Sequence, residues 1–61
     1  MKHYEVEYMK ERGGATFFRT YTDKADAIAA AKDAALYRAT VWESDDTGRR
    51  FFIMRRIRGR S

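Results

Sequence analysis

Hydrophobic and polar residues alternate strictly at the start of the chain. From His3 to Met9, tyrosine and valine occupy every second position and two glutamates lie between them, which is the period of a half-buried β-strand. Residues 15–22 are rich in β-branched and aromatic side chains, and Gly13-Gly14 offers a glycine for a left-handed turn position. We therefore predict a β-hairpin with strands at about residues 3–10 and 15–22.

The period then lengthens to three and four residues. Thr22-Asp23 offers an oxygen to cap a helix, and Asp23 and Asp26 place negative charge in its first turn. We predict a helix over about residues 23–37. Its apolar positions are Ala25, Ile28, Ala29, Ala31, Ala35 and Leu36.

A second hairpin is predicted after the helix. Residues 39–44 form an extended, β-branched stretch, and Asp45-Asp46-Thr47-Gly48-Arg49 has the composition of a type I turn closed by a left-handed glycine. The partner strand would span about residues 49–58. No glycine or proline separates helix from strand near Tyr37, so composition does not fix that boundary.

The predicted order is ββαββ, an α+β fold. One domain would span residues 1–61, with a single helix packed on one face of a four-stranded, mostly antiparallel sheet. A right-handed crossover permits several neighbours, and the strand orders 2-1-3-4 and 1-2-4-3 are preferred. A chain of 61 residues is near the lower limit for a self-sufficient core, so stability should be marginal.

Turn length fixes which side chains share a face. If both loops have three residues and end in glycine, the predicted pairs are Glu5 with Tyr21, Glu7 with Arg19, Tyr8 with Phe18, Thr40 with Met54, Val41 with Ile53, Trp42 with Phe52, and Asp45 with Arg49. The helix-covered face would then include Phe18, Thr20, Phe51, Ile53 and Ile57. The open face would show Glu5, Glu7, Met9, Phe17, Arg19, Tyr21, Trp42, Phe52, Met54, Arg56 and Arg58.

Charge is concentrated at the C-terminal end. The net charge is +4, and residues 48–61 carry six arginines and no acid. Such a segment suits an anionic polymer or an acidic protein surface. The absence of cysteine, of a signal-peptide core and of a long apolar run indicates a cytoplasmic protein that makes no contact with a membrane.

Catalysis finds little support in the sequence. His3 is the one histidine and lies near the chain end, Asp45-Asp46 is explained as turn chemistry, and Gly13-Gly14 is too short for a phosphate loop. Glu5 and Glu7 are interpreted as ordinary polar positions of a strand. We therefore predict a protein that is not an enzyme and that needs no cofactor and no metal.

The strongest functional pattern combines aromatic rings with arginines on the open face. We predict low-specificity binding of nucleic acid, in which bases stack on rings and arginines neutralise phosphates. The predicted binding residues are Arg19, Tyr21, Trp42, Arg50, Phe52, Arg56, Arg58 and Arg60. The alternative is a protein-interaction module, either a homodimer or a small adaptor or inhibitor that docks on an acidic partner.

The helix opening Thr-Asp-x-x-Asp-Ala-Ile and the Asp-Thr-Gly turn together resemble those of many small bacterial and phage proteins. The resemblance is one of pattern, and it implies no active residue for this chain.

Overall fold

Residues 2–58 are described by the computed structural model. They form strands β1 (His3–Met9) and β2 (Thr16–Tyr21), helix α1 (Lys24–Ala31), and strands β3 (Arg38–Ser44) and β4 (Arg50–Ile57). All neighbouring strands are antiparallel, in the order β2-β1-β3-β4. The predicted ββαββ fold is confirmed, with the first of the two preferred strand orders.

The core is small and lies between α1 and the two central strands. Val6 of β1 and Val41 of β3 are direct cross-strand partners and are almost completely buried. They pack with Ala39 and with Ala27 and Ala31 of the helix. Small side chains on the helix permit close approach to the sheet, but they also limit how much apolar area the core can bury.

Helix α1 begins where the sequence predicts. Asp23 is extended, and its Oδ1 accepts a hydrogen bond from the backbone N–H of Ala25 at 2.9 Å. This contact satisfies one of the free donors of the first turn.

The helix ends at Ala31, so the prediction that it continues to residue 37 is wrong. In a longer helix the N–H of Ala35 would donate to the carbonyl of Ala31. Instead that N–H donates to Oδ1 of Asp33 at 2.9 Å, and the Ala31 carbonyl accepts from Nε of Arg56 at 3.1 Å. A local Asp side chain and a distant arginine thus replace the next helical turn.

The helix also presents a different face from the predicted one. Ala27 and Ala31 are buried, whereas Ala25 and Ala29 are exposed and Ile28 is half-buried. Alanine occupies so many positions of this segment that hydrophobic spacing alone fits more than one orientation.

The first hairpin is shifted by one residue from the predicted register. Lys10 to Ala15 connect its strands, because the N–H of Gly14 bonds to the carbonyl of Glu11 and Gly13 takes φ +77°. The connection therefore has an even number of residues, where a three-residue loop was predicted. The observed pairs are Tyr4 with Tyr21, Glu5 with Thr20, Val6 with Arg19, Glu7 with Phe18, and Tyr8 with Phe17.

The second hairpin follows the prediction near its turn and departs from it further on. The N–H of Asp45 bonds to the carbonyl of Arg49, Gly48 takes φ +85°, and Trp42 pairs with Phe52 as predicted. A β-bulge then inserts Ile53, so Val41 pairs with Met54 and Thr40 with Arg55. The predicted pairs of Val41 with Ile53 and of Thr40 with Met54 are wrong for this reason.

These shifts exchange several side chains between the faces. Strand alternation from buried Val6 and Val41 places Phe17, Arg19, Tyr21, Met54 and Arg56 on the helix side, against prediction. Phe18, Thr20 and Ile57 lie on the opposite side, again against prediction. Trp42 and Phe52 remain on the face that α1 does not cover.

Candidate binding surface

Strand β4 and the residues that flank it carry the densest positive charge of the chain. Residues 49–58 contain five arginines, two phenylalanines, two isoleucines and one methionine, and no acid. We call Arg49, Arg50, Phe51, Phe52, Arg55 and Arg58 the β4 strip. Because β4 is an edge strand, the strip is reachable from both faces of the sheet and from its outer edge.

Two aromatic rings of the β4 strip are open to solvent. Phe51 is 46% exposed and Phe52 is 56% exposed. The guanidinium of Arg49 lies 5.6 Å from the centre of the Phe51 ring. Alternation along the strand places the two rings on opposite faces, so each is accompanied by an arginine on its own face.

Trp42 lies next to the β4 strip and is covered by it. The Phe52 ring meets the indole edge to face, with centroids 5.8 Å apart, and the guanidinium of Arg50 lies 4.7 Å from the indole centre. Arg50 is fixed there by an ion pair with Glu5, in which Nη2 and Oε1 are 2.6 Å apart. Trp42 is consequently half-buried on a face that has no helix over it.

The indole N–H of Trp42 is buried and finds no acceptor within residues 2–58. A buried donor without a partner costs free energy, so the packing around the indole of Trp42 is not optimal. Movement of Arg50 would expose the part of the indole ring that its guanidinium now covers.

Arg55 belongs to the same open face. Its Nε donates to Oγ1 of Thr40 at 3.0 Å, and Thr40 is one of the few fully buried polar residues. The Arg55 side chain thus extends from the β4 edge toward β3, with its guanidinium next to Thr40.

Arg56 has a structural role that the sequence did not reveal. It lies on the helix side, where Nε bonds to the Ala31 carbonyl and Nη2 to the Asp33 carbonyl. A cation at the C-terminal end of a helix is favourable, because the free carbonyls there carry partial negative charge. Arg56 is therefore bound within the fold, on the opposite side of the sheet from Trp42, Arg50 and Phe52.

Arg19 and Tyr21 are also separated from Trp42. They lie on the helix side of β2, with the guanidinium of Arg19 5.9 Å from the centre of the Tyr21 ring. Together with Tyr8 and Leu36 they line a cavity of about 290 Å³ between α1 and β2. The structure thus brings together Trp42, Arg50 and Phe52 of the predicted set, and places Arg19 and Tyr21 elsewhere.

The two remaining predicted residues lie at the end of the chain. Arg58 is exposed just after β4, and its backbone N–H donates to the carbonyl of Tyr37 at 2.6 Å. Arg60 lies outside the described residues.

Three acidic side chains near the candidate surface make defined contacts. Glu5 holds Arg50, and Glu43 pairs with Lys2 at 3.2 Å. Oδ1 of Asp45 accepts hydrogen bonds from the Thr47 hydroxyl at 2.6 Å and from the Thr47 and Arg49 backbone N–H groups. The Thr47 hydroxyl is the largest cause that lowers the pKa of Asp45, which agrees with its interpretation as a turn residue.

Metal ligands and membrane spans are not found in residues 2–58. No group of three or more histidine, aspartate or glutamate side chains in that range could hold a metal ion. No helix there is long and apolar enough to cross a membrane.

Sequence reasoning missed three members of the surface. Arg49, Phe51 and Arg55 were left out of the predicted set. Arg49 and Phe51 lie two residues apart and so share one strand face, and this spacing could have identified that pair. The pairing of Glu5 with Arg50 joins two residues from opposite ends of the chain, and no local pattern predicts it.

Comparisons with known proteins give no match. No protein-family model matches the chain, and no match is found among curated proteins or among solved structures.

Proposed function

We propose that this protein is a non-enzymatic binding module that holds single-stranded nucleic acid along the β4 strip, with low sequence preference. The observation that carries the proposal is the pairing of solvent-exposed rings with arginines on one edge strand. Phe51 and Phe52 offer open faces for bases, and Arg49, Arg50 and Arg58 offer charge for phosphates.

The geometry favours a bound nucleic acid whose backbone runs along β4 over one whose backbone crosses the sheet. The acids Glu5 and Glu7 lie on β1 and Glu43 on β3, toward the middle of the sheet, whereas residues 49–58 contain no acid. A phosphate chain that followed β4 would meet the Glu5 carboxylate only at Arg50, and one that crossed toward β1 would also meet Glu7.

Arg50 and Trp42 would respond to binding. A phosphate would compete with Glu5 for the Arg50 guanidinium. If Arg50 moved toward the phosphate, the indole of Trp42 would be exposed to the ligand. Trp42 is the one tryptophan of the chain, so its fluorescence would report this change without a label.

The proposed site is a revision of the set that the sequence predicted. Phe52, Arg50 and Arg58 are retained, Trp42 becomes a covered neighbour, and Arg56 is left out because it binds the end of α1. We further propose that the protein works in a reducing compartment such as the cytoplasm. A chain without cysteine cannot form the disulfides that an oxidising compartment would allow.

The test is a titration of the protein with a labelled oligothymidylate and oligouridylate at two salt concentrations. We expect the Trp42 fluorescence to change in parallel with the label, and affinity to fall as salt rises because phosphate contacts release counterions. Arg58→Gln should lower the salt slope by about 0.7, the value for one phosphate contact on a single strand. Lys24→Gln, at the start of α1 and far from β4 in sequence, is the control for lost charge.

Absence of binding at low salt would overturn the proposal. Equal binding of polyglutamate, with no preference for either oligonucleotide, would instead indicate an acidic protein partner for the same arginines. Self-association through the open face with Trp42 and Phe52, the other prediction from the sequence, would instead compete with the ligand for this surface.

A further inference from the structure

Strand β2 forms the other edge of the sheet, and it has few of the features that protect an edge. Arg19 is its one charged residue, it carries neither proline nor lysine, its register with β1 shows no bulge, and every residue from Thr16 to Thr20 is exposed. Phe18 is 60% exposed on the open face, and Phe17 is 41% exposed on the helix side. Unprotected edges of this kind are templates for pairing with another strand.

The sequence of β2 is complementary to itself about Phe18. When the strand is laid antiparallel on a second copy, with Phe18 opposite Phe18, Phe17 falls opposite Arg19 and Thr16 falls opposite Thr20. Aromatic pairs, cation–π pairs and Thr–Thr pairs each stabilise neighbouring strands. A register that placed Arg19 opposite itself would bring two positive charges together.

The existing contacts of Phe17 fit this arrangement. Its ring is stacked on Tyr8 of the inner neighbouring strand, with centroids 5.5 Å apart, and Nζ of Lys10 lies 5.4 Å from its centre. In the paired form the partner's Arg19 would lie opposite Phe17 and would take the place of Lys10 as the cation beside the ring. Phe17 would then have a neighbour on each side along the helix face of one continuous sheet.

The small core favours association of two copies of the chain, because association buries additional apolar area. Val6, Val41 and Thr40 are its largest fully buried side chains, so no aromatic ring is fully buried within residues 2–58. An aromatic side chain can bury about 150 to 250 Å². Pairing through β2 would cover part of Phe17 and Phe18 in both copies and would add the apolar burial that a monomer of this size lacks.

We propose that two copies of this chain associate through β2, antiparallel and with Phe18 on the two-fold axis, to form one eight-stranded sheet with both helices on the same face. The dimer leaves β4 at each outer end, and it does not depend on nucleic-acid binding. The partner is a second copy because the Thr16–Thr20 pattern complements itself, with Phe opposite Arg and Thr opposite Thr.

Sedimentation of the full chain over a range of concentrations tests the association. We expect a reversible dimer for the wild type and a monomer for Phe18→Glu. Phe52→Glu is the matched control, because Phe52 is similarly exposed on the same sheet face but lies on β4, and it should remain dimeric. Circular dichroism of each variant verifies that the exposed substitution leaves the fold intact.

Engineered cysteines test the register, because the native chain contains none. Thr16→Cys combined with Thr20→Cys should give a disulfide-linked dimer on oxidation, and either single variant should not. Residues four apart on one strand are separated by about 13 Å, too far for a bond within one copy.

A wild-type chain that stays monomeric at millimolar concentration would overturn the proposal. So would a dimer that Phe18→Glu leaves intact or that Phe52→Glu abolishes, because the interface would then lie elsewhere. Crosslinking by the single variants as readily as by the double one would contradict the proposed register.

Discussion

The two edge strands of this sheet are built in opposite ways. On β4, arginines are engaged inside the molecule: Arg50 with Glu5, Arg55 with Thr40, and Arg56 with the end of α1. A bulge also interrupts the β4 register. Both edges expose two phenylalanines, but on β2 the register is regular and Arg19 is the one charged residue. We therefore propose two kinds of partner, an anionic ligand at β4 and a second sheet edge at β2.

Removal of the Arg56 side chain from β4 should have the largest effect, and the effect is on stability. Arg56→Ala leaves the Ala31 and Asp33 carbonyls without their donor, and we expect the free energy of unfolding to fall by about 2 kcal/mol, typical of hydrogen bonds to a charged group. Urea unfolding measures it. Arg58→Ala is the control and should change stability little, since Arg58 bonds through its backbone. Equal losses in both variants would mean that Arg56 does not hold the helix end.

Truncation of Phe52 tests whether the exposed ring of β4 binds bases. Phe52→Ala should weaken oligonucleotide binding by about tenfold, or about 1.4 kcal/mol, the loss expected for one stacked base. The matched control is Phe18→Ala on β2, which has comparable exposure on the same face and should bind as the wild type does. If both variants lose affinity alike, ligand binding is not confined to the β4 edge.

Substitution of Glu5 should act in the opposite direction. Glu5→Gln releases Arg50 from its ion pair, and surface pairs of this kind are worth a fraction of 1 kcal/mol, so affinity for the oligonucleotide should rise by about threefold. Glu7→Gln removes one carboxylate from the same strand and the same face, and Glu7 has no ion pair within residues 2–58. An equal gain from Glu7→Gln would show that net charge alone governs binding.

The smallest expected effect concerns the turn that joins β3 to β4. The Thr47 hydroxyl holds the pKa of Asp45 below its ordinary value of 3.8, so the unfolded chain binds more protons than the folded one in that range. Stability from this contact is present above pH 3.8 and is lost as the pH falls through the lowered pKa. Thr47→Val should therefore reduce the loss of stability on acidification, measured as the urea midpoint at several pH values. An unchanged pH profile would contradict the role of this hydrogen bond.

Much of the fold could be predicted from local patterns. Strict alternation identified β1, an aspartate cap located the start of α1, and Asp-Thr-Gly identified the second turn with its left-handed glycine. Each of these features depends on residues within a few positions of one another. The order of elements and the antiparallel sheet followed from them.

The remaining features depend on contacts between distant residues. The six-residue connection from Lys10 to Ala15, in place of the predicted odd-numbered loop, reversed the faces of β2, and one bulge at Ile53 moved Arg56 to the helix side. The end of α1 is set partly by Arg56, which lies far along the chain. The structure consequently keeps Trp42, Arg50 and Phe52 together on the open face, and it places Arg19, Tyr21 and Arg56 on the helix side.

The most direct test of the proposed binding edge is an NMR titration of the ¹⁵N-labelled protein with oligothymidylate, following backbone amides and the indole N–H of Trp42. We predict shift changes that follow β4 from Arg49 to Arg58 and include the Trp42 indole, while the amides of β2 stay unchanged. Shift changes centred on β2, or none at low salt, would contradict the assignment of ligand binding to β4.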